Sequence, residues 1–118
     1  MDLVCFQGDD KESLGQINAL IKRGNWEKML IIKNKSSEEI DFGESVIKIN
    51  VDSGKSLIEL KTEMLEKIKN KIGNDFEVAL SIASGNGKEH MALISALLSI
   101  PVGIRLAAFT KKGVEFVN

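Results

Sequence analysis

The stretch with the most chemical potential is SIASGNGKEH (81–90), which connects an apolar run to the helix-like segment MALISALL. Gly85 and Gly87 can adopt positive φ angles and let a ligand approach the backbone. Free amides at the start of the following helix, the positive end of its dipole and the Lys88 ammonium together would form an anion site. A phosphate or a developing alkoxide suits such a site.

The same residues also allow a purely structural reading, in which the glycines form a tight strand-to-helix turn and Lys88 is solvated. Ser84 or Asn86 is the expected cap of the helix. A P-loop is a poor match, because its pattern requires glycine at Ile82 and serine or threonine at Glu89. A dinucleotide fingerprint is also a poor match, because it has three glycines and follows the first strand.

Two other parts of the chain contain candidate functional side chains. Asp9 and Asp10, in QGDD (7–10), can bind a metal or a ribose hydroxyl, or can stabilise the N-terminus of the next helix. His90 is either a ligand contact or proton carrier, or an ordinary helix residue. With Cys5 and His90 the only cysteine and histidine, the usual ligands of a zinc site are missing, so we expect neither a metal nor a cofactor.

Length and charge limit the classes of protein to consider. The 118 residues fit one domain, and 16 basic against 17 acidic residues leave a net charge of -1. No global field therefore favours DNA, RNA or an anionic membrane. The apolar runs are too short to span a bilayer, the N-terminus lacks a signal-peptide pattern, and the single cysteine suits a reducing compartment. We expect a cytoplasmic protein.

The elements that would position these residues alternate along the chain. Strands are expected at 3–6, 29–33, 46–51, 77–83, 104–109 and 114–117, and helices from about 14 to Gly24, from 57 to 72 with Gly73 just past the end, and from about Lys88 to Ser99. Met64 and Met91 fall on the predicted core faces. The order βα ββα βα ββ predicts an α/β fold, a three-layer Rossmann-like arrangement with a mainly parallel sheet of five to six strands, helices on both faces and a C-terminal hairpin. In such folds ligands bind beyond the carboxyl ends of the strands.

The run VALSIASGNGKEHMALISALL (78–98), preceded by VIKINVDSGKSLIELKTEMLEKIKNKI (46–72), resembles the CRISPR-associated Rossmann fold (CARF) domain. In that family a strand enters a T/S-G-G-T-K-like turn that leads to an apolar helix, and the preceding unit ends its strand in Val-Asp. Here SGNGK (84–88) is similar to the turn, and Val51-Asp52 to the earlier strand end. The resemblance covers most of the chain and implies a single CARF-like domain over residues 1–118.

CARF domains form two-fold dimers that bind cyclic oligoadenylates across the dimer interface. The resemblance therefore implies a homodimeric regulatory domain of CRISPR-type antiviral signalling. From the charge balance and the short apolar runs we expect no direct DNA binding and no membrane attachment. Some members cleave the bound ring, so a stand-alone, metal-independent ring nuclease with Lys88 as its catalytic residue is the second hypothesis. A structural or protein-interaction module without a nucleotide ligand is the third. The expected ligand-binding residues are Ser84, Gly85, Asn86, Gly87, Lys88, Gln7, Gly8, Asp9, Asp10 and His90.

Overall fold

The computed structural model describes residues 1–72 and 76–118, which form an α/β fold of six strands and three helices. The expected order of elements is confirmed. Among the described residues no helix is long and apolar enough to cross a bilayer. The elements are β1 (Asp2–Gln7), α1 (Lys11–Arg23), β2 (Met29–Asn34), β3 (Val46–Val51), α2 (Leu57–Ile68), β4 (Glu77–Ser81), α3 (Gly87–Leu98), β5 (Gly103–Thr110) and β6 (Gly113–Phe116).

The six strands form one sheet in the order β3-β2-β1-β4-β5-β6. Strands β1 to β5 pair in parallel, and β6 pairs antiparallel with β5, which confirms the C-terminal hairpin. Strand β1 is central: Cys5 lies opposite Ile31 of β2 and Ser81 of β4. From β1 the chain proceeds outward to β3 and then returns to the other side of β1 as β4. The carboxyl ends of the parallel strands therefore meet at one edge, and the order reverses between β1 and β4.

The core consists of two clusters of apolar side chains, and β1 contributes to both. Leu3 and Cys5 belong to the cluster that contains Ile17 of α1, while Val4 and Phe6 belong to the cluster that contains the buried residues of α2 and α3. This division follows from the alternation of side chains along a strand. Cys5 is free and fully buried, and burial raises the pKa of its thiol to about 12.

Strands β2 and β3 are parallel neighbours, yet the connection between them, residues 35–45, contains no helix. The side chains of Lys33 and Phe42 hold this connection in place. The fully buried Lys33 donates from Nζ to the carbonyl of Ser37 at 2.9 Å and pairs with Glu39 Oε1 at 3.0 Å. Hydrogen bonding from Lys33 holds the pKa of the Glu39 carboxyl below its usual value. Phe42 packs in the cluster of α1.

Two elements end earlier than the sequence pattern predicts. Strand β4 ends at Ser81 and not at residue 83, because the chain turns there to bring residue 84 to the loop that follows β1. Helix α2 ends at Ile68 and not at residue 72, since the amides of both Lys71 and Ile72 return to the Ile68 carbonyl and tighten the chain into a turn. The predicted end signal, Gly73, lies outside the described residues.

Helix α3 also differs from the prediction in which of its faces is buried. Its core side chains are Ala92, Leu93, Ala96 and Leu97. Met91, predicted to be a core residue, is 59% exposed, whereas Met64 is fully buried as predicted. Because α3 is apolar on both sides, periodicity alone could not identify the side that meets the sheet.

Candidate functional site

The candidate site lies at the sheet edge where the parallel strands end. The loop after β1 (residues 8–10) and the loop after β4 (residues 82–86) are in direct contact there, because β1 and β4 are neighbours. The loop after β3 (residues 52–56) joins them through a hydrogen bond from Lys88 Nζ to the Ser53 carbonyl at 2.8 Å. The two segments that the sequence singled out, 7–10 and 84–90, are therefore brought together.

Two glycines are required where the loops after β1 and β4 meet. A Cβ atom on the buried Gly8 would lie 2.5 Å from the amide nitrogen of Gly85 and 2.7 Å from its Cα. Gly85 has a φ of +102°, and a Cβ there would lie 2.7 Å from Phe6 Cδ1. Gly87 differs, because its φ is not positive and an added Cβ would meet no atom within 4 Å. Gly8 and Gly85 thus serve packing, while Gly87 leaves open space at the surface.

Ser84 links three elements instead of facing solvent. Its side chain is buried, and its Oγ accepts hydrogen bonds from the Gly8 amide at 2.8 Å and from Ser13 Oγ at 2.9 Å. Its carbonyl oxygen lies 2.6 Å from Nε2 of His90. Sequence reasoning expected Ser84 to contact a ligand; in this structure its hydroxyl is buried and is engaged by the protein itself. It positions the loops, α1 and the imidazole of His90.

The N-terminus of α3 carries a capping box. Asn86 is the cap: its Oδ1 accepts from the Glu89 amide, and Glu89 Oε1 accepts from the Asn86 amide, both at 2.9 Å. Gly87 and Lys88 are exposed residues, and their amides have no hydrogen-bond partner among the described residues, as is general for the first turn of a helix. These two amides are available to an anion. The carboxylate of Glu89 offsets part of the helix dipole, so the remaining positive charge comes mainly from Lys88.

Lys88 is exposed and lies on the same edge as the loop glycines, as the anion-site hypothesis requires. Its only hydrogen-bond acceptor among the described residues is the neutral Ser53 carbonyl, and no carboxylate there lies within ion-pair distance. Within residues 1–72 and 76–118 the Lys88 ammonium therefore forms no ion pair. A neighbouring cation, Lys35, pairs at 3.5 Å with Asp52.

The end of β1 and the loop after it have one buried and two exposed candidate side chains. Gln7 is buried and donates from Nε2 to the Glu38 carbonyl at 2.9 Å, so it cannot reach a ligand directly in this conformation. Asp10 caps α1 by accepting from the Glu12 amide, and Asp9 accepts from a serine hydroxyl of the loop after β2. Both carboxylates are exposed and suit ribose hydroxyls better than phosphates. No cluster of three metal-ligating side chains occurs within residues 1–72 and 76–118.

Sequence reasoning did not identify three residues of the site, Ser53, Glu63 and Glu89. Ser53 donates from Oγ to Glu89 Oε2 at 2.8 Å and supplies the carbonyl that holds Lys88. Glu63 of α2 accepts from the Asp52 amide at 3.0 Å. Burial raises the pKa of Glu63, but hydrogen bonds from Lys67, the Asp52 amide and Lys55 outweigh it and lower the pKa to about 2. The N-x-x-E spacing was a readable signal for Glu89. No local signal marks Ser53 or Glu63.

Comparisons with known proteins identify no relative of this chain. No family model matches the chain, and no curated protein or solved structure matches it either.

Proposed function

We propose that this chain is a CARF-like regulatory domain that binds cyclic oligoadenylate as a homodimer in CRISPR-type antiviral signalling. The proposal includes a three-layer Rossmann-like arrangement with helices on both faces of the sheet and a cytoplasmic location. It is supported by the resemblance of residues 46–98 to that family and by the chemistry of the carboxyl edge of the sheet.

One observation carries the proposal. The amides of the exposed residues Gly87 and Lys88, and a Lys88 ammonium without an ion-pair partner among the described residues, lie together at the point where the strand order reverses. Backbone amides at a helix N-terminus and an ammonium are ligands that phosphate oxygens accept well. A cyclic oligoadenylate carries one phosphate per nucleotide, so each of two copies of this loop could contact a different phosphate of the same ring.

Five of the predicted ligand residues then have a defined task. Gly87 and Lys88 would contact a phosphate, and Asp9 would accept a hydrogen bond from a ribose hydroxyl. Ser84 and Gly85 would hold the loop in shape from beneath, because both are committed to packing against the loop after β1.

The test is a thermal-shift panel with cyclic tetra-adenylate and cyclic hexa-adenylate, each at about a hundredfold excess over a micromolar Kd. Binding at that excess adds roughly 2.7 kcal/mol of stability, which should raise the Tm by roughly 10 °C.

In Lys88→Ala the loss of a hydrogen bond to a charged group should weaken binding about ten- to a hundredfold. Lys22→Ala, in the last turn of α1, is the matched control and should bind like the wild type. An unchanged wild-type Tm with every ring would refute the proposal and favour a module without a nucleotide ligand.

A second candidate, a ring nuclease at the same site, is favoured by the geometry of His90. A carbonyl oxygen can only accept, so the contact with Ser84 requires the hydrogen on Nε2. Nδ1 of the neutral ring then has a lone pair, without a hydrogen-bond partner among the described residues, and can take a proton from a ribose 2′-hydroxyl. The 2′-oxygen would bond to phosphorus while the bond to the 5′-oxygen breaks and that oxygen gains a proton. Lys88 would stabilise the charge on the phosphate.

A time course with labelled cyclic tetra-adenylate separates the sensor from the nuclease. A nuclease converts the ring to a linear product with a 2′,3′-cyclic phosphate, and Lys88→Ala loses that product. Ring that remains intact after hours with the wild type, at a concentration that stabilises the protein, supports the sensor and eliminates the nuclease.

A further inference from the structure

Strand β3 lies at one end of the sheet order, so its outer side has no neighbouring strand in the part of the chain that the structure describes. The backbone groups of successive residues in a parallel strand point alternately towards the two sides. The Val51 carbonyl accepts from the Lys35 amide at 2.8 Å, on the side of β2, so the backbone groups of Lys48 and Asn50 point outward. Unpaired strand groups of this kind are a template for a further strand.

Side chains of α2 cover only part of this outer side. Lys67 Nζ donates to the Asn50 carbonyl at 2.7 Å, and Glu63 Oε1 accepts from the Asp52 amide at 3.0 Å. The amide and carbonyl of Lys48 and the amide of Asn50 have no hydrogen-bond partner among residues 1–72 and 76–118. These groups follow one another along the strand, so an extended backbone could bond to all of them.

A groove of about 490 Å³ lies between β3 and the end of α2. Its charged lining residues are Lys48, Glu66, Lys67 and Lys71, and its asparagines are Asn50 and Asn70. Three ammonium groups therefore line the groove with one carboxylate. The asparagine side chains add both hydrogen-bond donors and acceptors. The groove is thus polar and carries an excess of positive charge.

Nearby carboxylates balance this charge only in part. Glu63 pairs with both Lys55 and Lys67, at 3.1 Å and 2.7 Å, so two ammonium groups share one carboxylate. Lys71 is exposed and forms no ion pair with another described residue. A carboxylate supplied from outside would therefore meet ammonium charge that the described residues do not balance.

The same charge opposes pairing of β3 with a second copy of itself. Lys48 shares Glu39 with the buried Lys33, at 3.3 Å and 3.0 Å, so its ammonium too is only partly balanced. Two β3 strands side by side would bring two sets of these lysines together, and like charges on adjacent strands destabilise a sheet. The charge of the groove therefore favours an acidic partner over a second copy of the chain.

We propose that the groove beside β3 binds an extended acidic segment of another protein, which adds to the sheet as a strand. Its backbone would pair with Lys48 and Asn50, and its alternate side chains would point into the groove. Carboxylates at those positions would pair with Lys67 and Lys71. Lys67 would exchange the neutral Asn50 carbonyl for a carboxylate and so free that carbonyl for the partner strand. The inference is independent of the proposed function, because no residue of the groove belongs to the candidate site.

Fluorescence polarisation tests the chemistry of the partner. The probe is a labelled peptide of about eight residues that alternates glutamate with threonine, which favours strands. It should bind at least about tenfold more tightly than the same peptide with glutamine in place of glutamate, because only carboxylates pair with the ammonium groups of the groove. A glutamate peptide that does not bind at about 1 mM, or that binds no better than the glutamine peptide, overturns the proposal.

Charge reversal tests the location. Lys71→Glu should weaken binding of the glutamate peptide at least about tenfold, because it places a like charge in the groove. Lys22→Glu is the matched control, since it changes the net charge equally but lies on α1, outside the groove, and it should bind like the wild type. Equal affinities of the two variants would mean that the groove does not hold the peptide.

Amide hydrogen exchange tests the strand pairing. Saturation with the glutamate peptide should slow exchange of the Lys48 and Asn50 amides at least about tenfold and leave the amides of Gly87 and Lys88 unchanged. Unchanged exchange at Lys48 and Asn50, or slower exchange at Gly87 and Lys88 instead, would refute the added strand. Slower exchange at Lys48 and Asn50 that appears without peptide and grows with protein concentration would assign the outer side of β3 to a second copy, and would also overturn the proposal.

Discussion

Replacing Gly8 by alanine should separate the two loops that form the candidate site. The new Cβ would lie 2.5 Å from the Gly85 nitrogen and 2.7 Å from its Cα, and both contacts are to backbone, which cannot rotate away. Overpacking of this kind costs about 1–3 kcal/mol. Moving the loops apart also breaks the 2.8 Å hydrogen bond from the Gly8 amide to Ser84, which costs about 1 kcal/mol more. Gly8→Ala should therefore destabilise the protein by about 2–4 kcal/mol.

Gly87→Ala is the matched control, because it adds the same methyl group just after the neighbouring loop, at the start of α3. Its Cβ would meet no atom within 4 Å, its φ is not positive and it is the first residue of α3. Reduced freedom of the unfolded chain should make this variant about 0.4–1 kcal/mol more stable than the wild type. The free energies of unfolding of the two variants should then differ by about 2.4–5 kcal/mol.

Urea unfolding measures this difference. With a slope of about 1.5 kcal/mol/M, the midpoint of Gly8→Ala should lie about 1.6–3.3 M below that of Gly87→Ala. Circular dichroism and tryptophan fluorescence should report the same midpoint for each variant if unfolding is two-state. Midpoints that agree within about 0.3 M would show that the contact between the loops after β1 and β4 does not exist as described, and the candidate site would lose its geometry.

Three further predictions concern the groups that support the site. Ser84→Ala should cost about 1–3 kcal/mol in urea unfolding, because it leaves the buried Gly8 amide without an acceptor; a cost no larger than that of the exposed Ser99→Ala would contradict this role. The pKa of Glu63 falls from 4.5 to about 2 on folding, so its stabilisation is fully present above pH 4.5 and is lost as the pH falls towards 2. That loss is about 3 kcal/mol, and Glu63→Gln should remove this part of the acid dependence; an identical pH profile for the variant would show that other carboxylates cause it. Cys5, with a thiol pKa near 12 and no exposure, should react with a thiol reagent such as dithionitrobenzoate only after unfolding, and rapid reaction of the folded protein would refute its burial.

The order of elements was predictable because it depends on patterns that are local in the chain. The apolar strand segments and the spacing of Leu60, Met64 and Ile68 identify a βα ββα βα ββ sequence, and such an order implies a parallel sheet whose loops gather at one edge. The segments 7–10 and 84–90 could therefore be placed together in advance. The helix cap at Asn86 was one of two alternatives, and the capping box with Glu89 decides between them.

Three features of the site could not be read from local patterns. Ser84 is a buried link to Gly8, 76 residues earlier, and a hydroxyl in a polar loop has the same sequence signature whether it faces a ligand or a backbone amide. Ser53 holds Lys88 from 35 residues away, through its carbonyl, which every residue has. Met91 lies outside the core because α3 has apolar side chains on two sides, and only the packing of Leu93 and Leu97 against the sheet selects the buried one. Local periodicity thus specifies which elements form, whereas contacts between residues distant in the chain specify which polar groups remain free and which apolar face of a helix is exposed.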